Sequence, residues 1–260
     1  MKRVENPQKN KKCRKMKKKV NIYCPTYHRF GKTKESIESI VKSVKMSSHD
    51  VMLYVVDNNS PQTMREWLEA QKETNVSVEL LDQNIGKGQA VNLAHSKARK
   101  SDYVISTDSD IVNKRMTNWI DIFVEILNRD NSWGVIACDY HDGLNVHVQE
   151  NLNKKSTVGK YQIKHGGLGI GGGVIIMRSE DFDKIGGYIT EDIFIGDDGR
   201  LMAAVVNDLK KKCGVCEDVC LYHPIPDGDL EKKYQHWKNN KSQNHKSWNK
   251  APNTGFYENQ

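Results

Sequence analysis

Two carboxylates stand two residues apart in Ser106-Thr107-Asp108-Ser109-Asp110-Ile111, directly behind the apolar run Asp102 to Ser106. Along an extended chain residues i and i+2 point to the same side, so Asp108 and Asp110 converge on one partner. Unpaired they would repel each other. A divalent cation or a bound polar ligand relieves that repulsion, because hard cations favour carboxylate oxygens. A second acid pair, Asp197-Asp198 in "IGDDGRLM", precedes a plausible helix, whose N-terminus also attracts anions. A third group, Cys213, Cys216, Cys220 and His223 in "CGVCEDVCLYHP", offers four soft-metal ligands. Its spacing is too compact for two separated zinc knuckles. The same stretch reads equally well as a strand with Val215, Val219 and Leu221 facing a core.

The elements that must position these groups alternate. "VNIYCPTY" (Val20 to Tyr27) is a short β-prone run broken by Pro25, and in "KTKESIESIVKSVKM" Ile37, Ile40, Val41 and Val44 recur at helical spacing. "VMLYVVD" (Val51 to Asp57) is an almost wholly apolar strand of the kind buried on both faces in a parallel sheet. After the turn "NNSPQ", "MREWLEAQK" reads as a helix, "VSVELLD" as a strand, "GQAVNLAHSKAR" as a helix and "YVIST" as a strand. Repeated βα units predict an α/β domain with a parallel sheet, helices on both faces, and ligands bound beyond the strand C-termini. Pro25-Thr26, Asp57-Asn58-Asn59, Asn84 through Gly88, and Asp108 with Asp110 all follow predicted strands. In a doubly wound sheet these four loops line one crevice, so the carboxylates belong to a composite site.

With these motifs in place, the sequence resembles the nucleotide-sugar-dependent glycosyltransferases of the GT-A fold, in particular the inverting, family-2-like enzymes. "CPTYHR", "VVDNNS", "NIGKGQAVN", "TDSD", "GGGVIIMRSEDFDKIGGY" and "IGDDGRL" occur in the order that family shows, across roughly residues 20 to 225. The resemblance implies a single GT-A-type domain with a Rossmann-like, mostly parallel sheet. It also implies transfer of a sugar from a nucleoside-diphosphate donor, UDP-linked by preference, to an acceptor hydroxyl with inversion. Carried over residue by residue, Pro25, Thr26, Arg29 and Asp57 fall at donor-binding positions, although Asn58 and Asn59 depart from the commoner "DDGS" and leave the base open. Asp57 would equally serve as an Asx-turn residue before Ser60-Pro61. Asn84, Gly86 and Lys87 lie beside the donor. This loop lacks both the G-x-G-x-x-G spacing and the P-loop Lys-Ser/Thr.

In the resembling family, Asp110 binds a divalent metal, Mn²⁺ or Mg²⁺, Asp108 meets ribose or metal, and His223 occupies the place of a histidine that completes the metal site. Gly172 and Gly173 belong to the floor of the sugar and acceptor pocket. Asp198, with Asp197 second, is the candidate general base, since inversion needs a carboxylate to take the acceptor's proton. The segment "DLEKKYQHWKNNKSQNHKSWNK" would supply a lid over the donor, with His236 and Lys238 as candidates.

Composition narrows the alternatives. Residues 1–19 carry ten Lys/Arg and one acid, whereas the remainder carries 30 basic and 32 acidic residues, so the chain's net charge of +7 resides in the basic tail. That tail offers nonspecific attraction to anionic lipid or nucleic acid, but it has no interleaved aromatics to give specificity. A nucleic-acid-binding module is therefore disfavoured as the main function, while a glycosyltransferase acting on modified DNA stays open as an alternative. A nucleotidyltransferase is the rival enzyme reading, and "CPTYHRFGK" lacks the basic Gly-rich loop it would need. No apolar run reaches the roughly 18 residues of a membrane span, and six cysteines without a secretory signal suggest a cytoplasmic protein with free thiols. The expected organisation is a flexible tail over 1–19, a catalytic domain over 20–225 and a C-terminal segment over 226–260.

Overall fold

A computed structural model describes residues 16–71, 73–143, 152–166, 170–189 and 197–224, without the side chains of 141–143 and 197. The basic tail up to residue 15 and the segment from 225 onward, including His236 and Lys238, lie outside the described residues. The described residues build one nine-stranded sheet in the order β3-β2-β1-β4-β8-β5-β9-β7-β6. Four strands arise from the predicted βα alternation: β1 (Lys19–Thr26), β2 (Asp50–Asp57), β3 (Val76–Leu80) and β4 (Tyr103–Thr107), all mutually parallel. The connecting helices are α1 (Phe30–Met46), α2 (Gln62–Glu69) and α3 (Lys87–Lys97). Pro25 does not break β1. It lies beyond Tyr23, the last residue that β1 pairs with β4, so its missing N–H costs that ladder nothing.

Past β4 the sheet becomes mixed. After α4 (Trp119–Arg129) come β5 (Trp133–Gly143), the hairpin β6 (Lys154–Val158) and β7 (Tyr161–His165), β8 (Val174–Arg178), α5 (Ser179–Lys184), α6 (Asp197–Asn207) and β9 (Lys212–His223). Strand β8 runs antiparallel between β4 and β5, β9 is parallel to β5, and the hairpin closes the far edge. One face of the sheet is covered by α1, α2 and α4 through Ile37, Ile40, Leu68, Phe123 and Leu127. The other is covered by α3, α5 and α6 through Ala90, Val91, Phe182, Leu201 and Val205. Each fully buried aliphatic or aromatic side chain among these contributes roughly 1.5–3 kcal/mol, so the two faces hold the strand ends in a fixed frame.

An irregularity in β9 decides where its end points. Cys138 pairs with Cys216, but the next residue, Asp139, pairs with Cys220, leaving Glu217, Asp218 and Val219 as a bulge. Regular alternation would keep Val215, Val219 and Leu221 on one face. Instead Val215 packs with the α3/α5/α6 core while Val219 and Leu221 join the opposite one. All three are buried, as expected, but on two faces. His223, in phase with Leu221, is thereby turned toward the crevice.

Candidate active site

The loop after β4 is held from three sides. Asp108 N donates to Gly173 O (2.7 Å) beyond the start of β8, and Val112 exchanges paired backbone bonds of 2.9 Å with Tyr222 on β9. From α1, Ser36 Oγ donates to Ile111 O (2.7 Å) and Ser39 Oγ accepts from Asn113 N (2.8 Å). The bridge to Tyr222 puts the next residue, His223, against Asp110: Nε2 lies 3.2 Å from Oδ2. The same oxygen accepts from Arg29 Nη1 at 2.7 Å. Burial pushes the Asp110 carboxyl up, but His223 and Arg29 outweigh it and hold the group down at about 2. Burial alone would lower His223, yet Asp110 overrides it and holds the imidazole above its ordinary value.

Asp108, Asp110 and His223 each offer one ligand atom, and these atoms lie within 4.8 Å of one another. Among the described residues no other group of three or more His, Cys, Asp or Glu side chains converges in this way. Two carboxylates with one imidazole fit a divalent cation such as Mn²⁺. The alternative zinc cluster does not assemble: Cys213 and Cys216 are buried in opposite cores, and His223 turns to Asp110 instead of toward them.

Asp198 stands across the crevice at the first turn of α6. Lys87, at the start of α3, bridges the two sides: its ammonium is 2.8 Å from Asp108 Oδ1, 3.3 Å from Asp198 Oδ1 and 2.9 Å from Gly172 O. Burial works against its charge, but Asp108 and Asp198 more than compensate and hold Lys87 well above its ordinary range. Burial raises Asp108 despite the pull of Lys87. Gly86 reaches φ 82° at the helix start, where Asn84 Oδ1 accepts its N–H at 2.9 Å. A Cβ on Gly172 would meet Asp198 Cγ at 1.9 Å, and one on Gly173 would meet the Tyr140 hydroxyl at 2.3 Å. The floor of the crevice therefore admits no side chain at either position.

At the far end of the crevice Thr26 Oγ1 donates to Asp57 Oδ1 (2.9 Å), and Ser60 N donates to Asp57 Oδ2 (2.9 Å). Asp57 is 0% exposed, so as placed its carboxylate organises the loop in the manner of the Asx-turn reading. Asn58 Oδ1 accepts from Ile85 N (3.1 Å) and so ties this loop to the one carrying Asn84 and Lys87. The model of glycosyl transferase family 2 matches residues 22–186, a span that runs from β1 through the loop after α5 and includes the loops after β1, β2, β3 and β4, while Asp198 and His223 lie beyond it. The chain belongs to glycosyl transferase family 2.

No curated protein sequence matches the chain. Among solved structures it is similar to the mannosyltransferase PcManGT from Pyrobaculum calidifontis, in complex with GDP-Man and Mn²⁺, with a TM-score of 0.66 and 17% identity. That match covers 88% of this chain and 62% of PcManGT. It is also similar to S. aureus TarS 1-349, with a TM-score of 0.57, 19% identity and coverage of 84% and 62%. The complex of TarS 1-349 with UDP-GlcNAc gives the same TM-score and identity, with coverage of 81% and 59%. The chain thus spans about three fifths of the length of these proteins. At such identities the likeness establishes the fold, a single α/β domain shared with GT-A glycosyltransferases.

Within this family-2 domain, Thr26 and Asp57 meet at one end of the crevice, and Arg29, Lys87, Asp108, Asp110, Gly172, Gly173, Asp198 and His223 at the other. Pro25 is half-buried one residue before Thr26 and makes no side-chain contribution to the polar network. Asp197 opens α6, and its side chain lies outside the described residues. Two residues escaped the sequence reading. Tyr188 sends its hydroxyl toward Asp198 Oδ1 (3.5 Å), and Asn92 clamps the Tyr188 backbone by accepting from its N–H and donating to its carbonyl, both at 2.9 Å. Their signal was present in "NIGKGQAVN" and "GGY", but nothing in the spacing joined positions nearly a hundred residues apart.

Proposed function

We propose that this domain transfers a sugar from a nucleoside-diphosphate donor to an acceptor hydroxyl with inversion, assisted by a divalent cation. The observation that carries the reading is the opposition of Asp108, Asp110 and His223 to Asp198 across the Lys87 ammonium. Held by Asp108, Asp110 and His223, a cation such as Mn²⁺ would supply positive charge against the diphosphate that leaves. The remaining work falls to the chain. Asp198 takes the acceptor hydroxyl's proton as the new bond forms, and Tyr188 and Lys87 fix the direction of its carboxylate. Lys87 and Arg29 place positive charge beside the departing anion. Gly172 and Gly173 leave room for the Asp198 carboxylate and the Tyr140 hydroxyl to lie against the backbone beside the crevice. The loop built on Thr26, Asp57 and Asn58 receives the nucleoside.

PcManGT is described with GDP-Man and TarS with UDP-GlcNAc, so both bases belong in the test. A panel of UDP- and GDP-sugars, each with Mn²⁺ and with EDTA, should contain a donor that raises the melting temperature by mass action only when the cation is present. If no nucleotide sugar stabilises the protein in either condition, the proposal fails.

A further inference from the structure

Two consecutive non-glycine residues between β1 and α1, His28 (φ 57°) and Arg29 (φ 55°), adopt the left-handed conformation. L residues do so at a cost, and such strain persists where neighbouring contacts over-determine it. Here His28 N donates to Ser60 Oγ (2.9 Å), Thr33 N donates to Arg29 O (3.0 Å), and Thr33 Oγ1 donates to His28 O (3.3 Å). The consequence is the placement of one guanidinium. Nη1 of Arg29 lies on Asp110 Oδ2, the oxygen that His223 also meets, while Nη2 is buried and has no hydrogen-bond partner among the described residues.

This placement acts with opposite sign on the two ligands of the crevice. A guanidinium at hydrogen-bond distance from Asp110 repels a divalent cation bound to that carboxylate. A diphosphate on the same cation is attracted by it. Lys87 differs, because its ammonium is engaged by Asp108, Asp198 and Gly172 O and does not touch Asp110.

We infer that Arg29 couples cation binding to nucleotide binding: it weakens the hold of the bare protein on the cation and strengthens the hold on cation and nucleoside diphosphate together. The cation is then retained chiefly in company with a nucleotide. This rests on the proposed cation site of Asp108, Asp110 and His223. By linkage, the factor by which a nucleoside diphosphate tightens the cation equals the factor by which the cation tightens the nucleotide.

The test is a titration of the full chain with Mn²⁺, free ion being read by electron paramagnetic resonance, without nucleotide and with saturating UDP or GDP. Arg29→Gln should bind Mn²⁺ alone at least about tenfold more tightly than the wild type, since it removes a nearby positive charge. The gain in Mn²⁺ affinity on adding nucleotide should shrink by a similar factor of about ten. Arg29→Lys keeps the charge, so its Mn²⁺ affinity without nucleotide should stay close to wild type. If Asp110→Asn abolishes Mn²⁺ binding but Arg29→Gln binds Mn²⁺ no more tightly than wild type, the cation site stands and the coupling is overturned. If the wild type binds no Mn²⁺ with or without nucleotide, the site and the coupling fall together. The wild type gives an outcome that depends on no variant: equal Mn²⁺ affinity with and without nucleotide overturns the coupling.

Discussion

Replacing Gly172 by alanine tests the crevice geometry with a single methyl group. The added Cβ would sit 1.9 Å from Asp198 Cγ and 2.1 and 2.2 Å from its two oxygens. Ordinary contact begins at 3.4 Å, so the carboxylate must retreat by 1.5 Å. Gly172 has no left-handed φ, so alanine is allowed there by the backbone and the perturbation is steric. Misplacing a reacting group by about 1 Å costs on the order of 10²-fold in rate, or about 2.7 kcal/mol of barrier. Gly172→Ala should therefore lower turnover about 10²-fold in a protein that still unfolds cooperatively. The assay is single-turnover transfer, or donor hydrolysis, with the nucleotide sugar identified by stabilisation. Gly171→Ala is the internal control: its Cβ would have Tyr140 as nearest neighbour at 3.9 Å, an ordinary contact. Wild-type turnover in Gly172→Ala, or equal losses in both variants, would refute the placement of Asp198 as the base.

Further predictions concern the groups around it. Asp198→Asn keeps shape but accepts no proton, so transfer should fall by roughly 10²- to 10⁴-fold with donor binding retained, and Asp197→Asn should do less; steady-state kinetics with a binding isotherm checks both. Tyr188→Phe removes the hydroxyl beside Asp198, and we expect a lower kcat with nucleotide affinity unchanged; a rise in KM alone would argue against a positioning role. His223 is raised above its ordinary value in the cation-free protein, so its ion pair with Asp110 stabilises the fold fully below the unfolded value of about 6.5 and is lost as pH rises through the folded value. A cation requires the neutral imidazole, so apparent Mn²⁺ affinity should climb with pH across that window, and His223→Gln should flatten the climb. A pH-independent Mn²⁺ affinity in the wild type would count against His223 as a ligand.

The first half of the fold was legible because β2, β4 and the helix α1 carry their periodicity in unbroken runs, and β1 only seemed interrupted at Pro25. Its strand-end loops could be placed on one edge by topology alone, which brought Thr26, Asp57, Lys87, Asp108 and Asp110 together before any distance was known. The sheet beyond β4 was less legible. An antiparallel β8 inserted between β4 and β5 leaves no trace in hydropathy, and its "VIIM" core suits either direction. The β9 bulge was invisible for a related reason: Val215, Val219 and Leu221 have one parity in sequence, and only the register shift shows that they face two cores. That shift brings His223 to Asp110 and dissolves the apparent cysteine-histidine cluster. Arg29 was legible as a donor-side residue, but its left-handed backbone and its place on Asp110 go with a His28–Ser60 contact between two loops that spacing does not show.

The proposed reaction separates sugar from a nucleoside diphosphate with inversion in a cation-assisted site. It is tested most directly by following the reaction of the stabilising donor with Mn²⁺ by proton and phosphorus NMR. The expected products are free nucleoside diphosphate and a transferred or hydrolysed sugar whose first-formed anomer is inverted, with no reaction in EDTA or with Asp110→Asn. Release of nucleoside monophosphate and sugar phosphate, a retained anomer, or undiminished turnover in EDTA would contradict it.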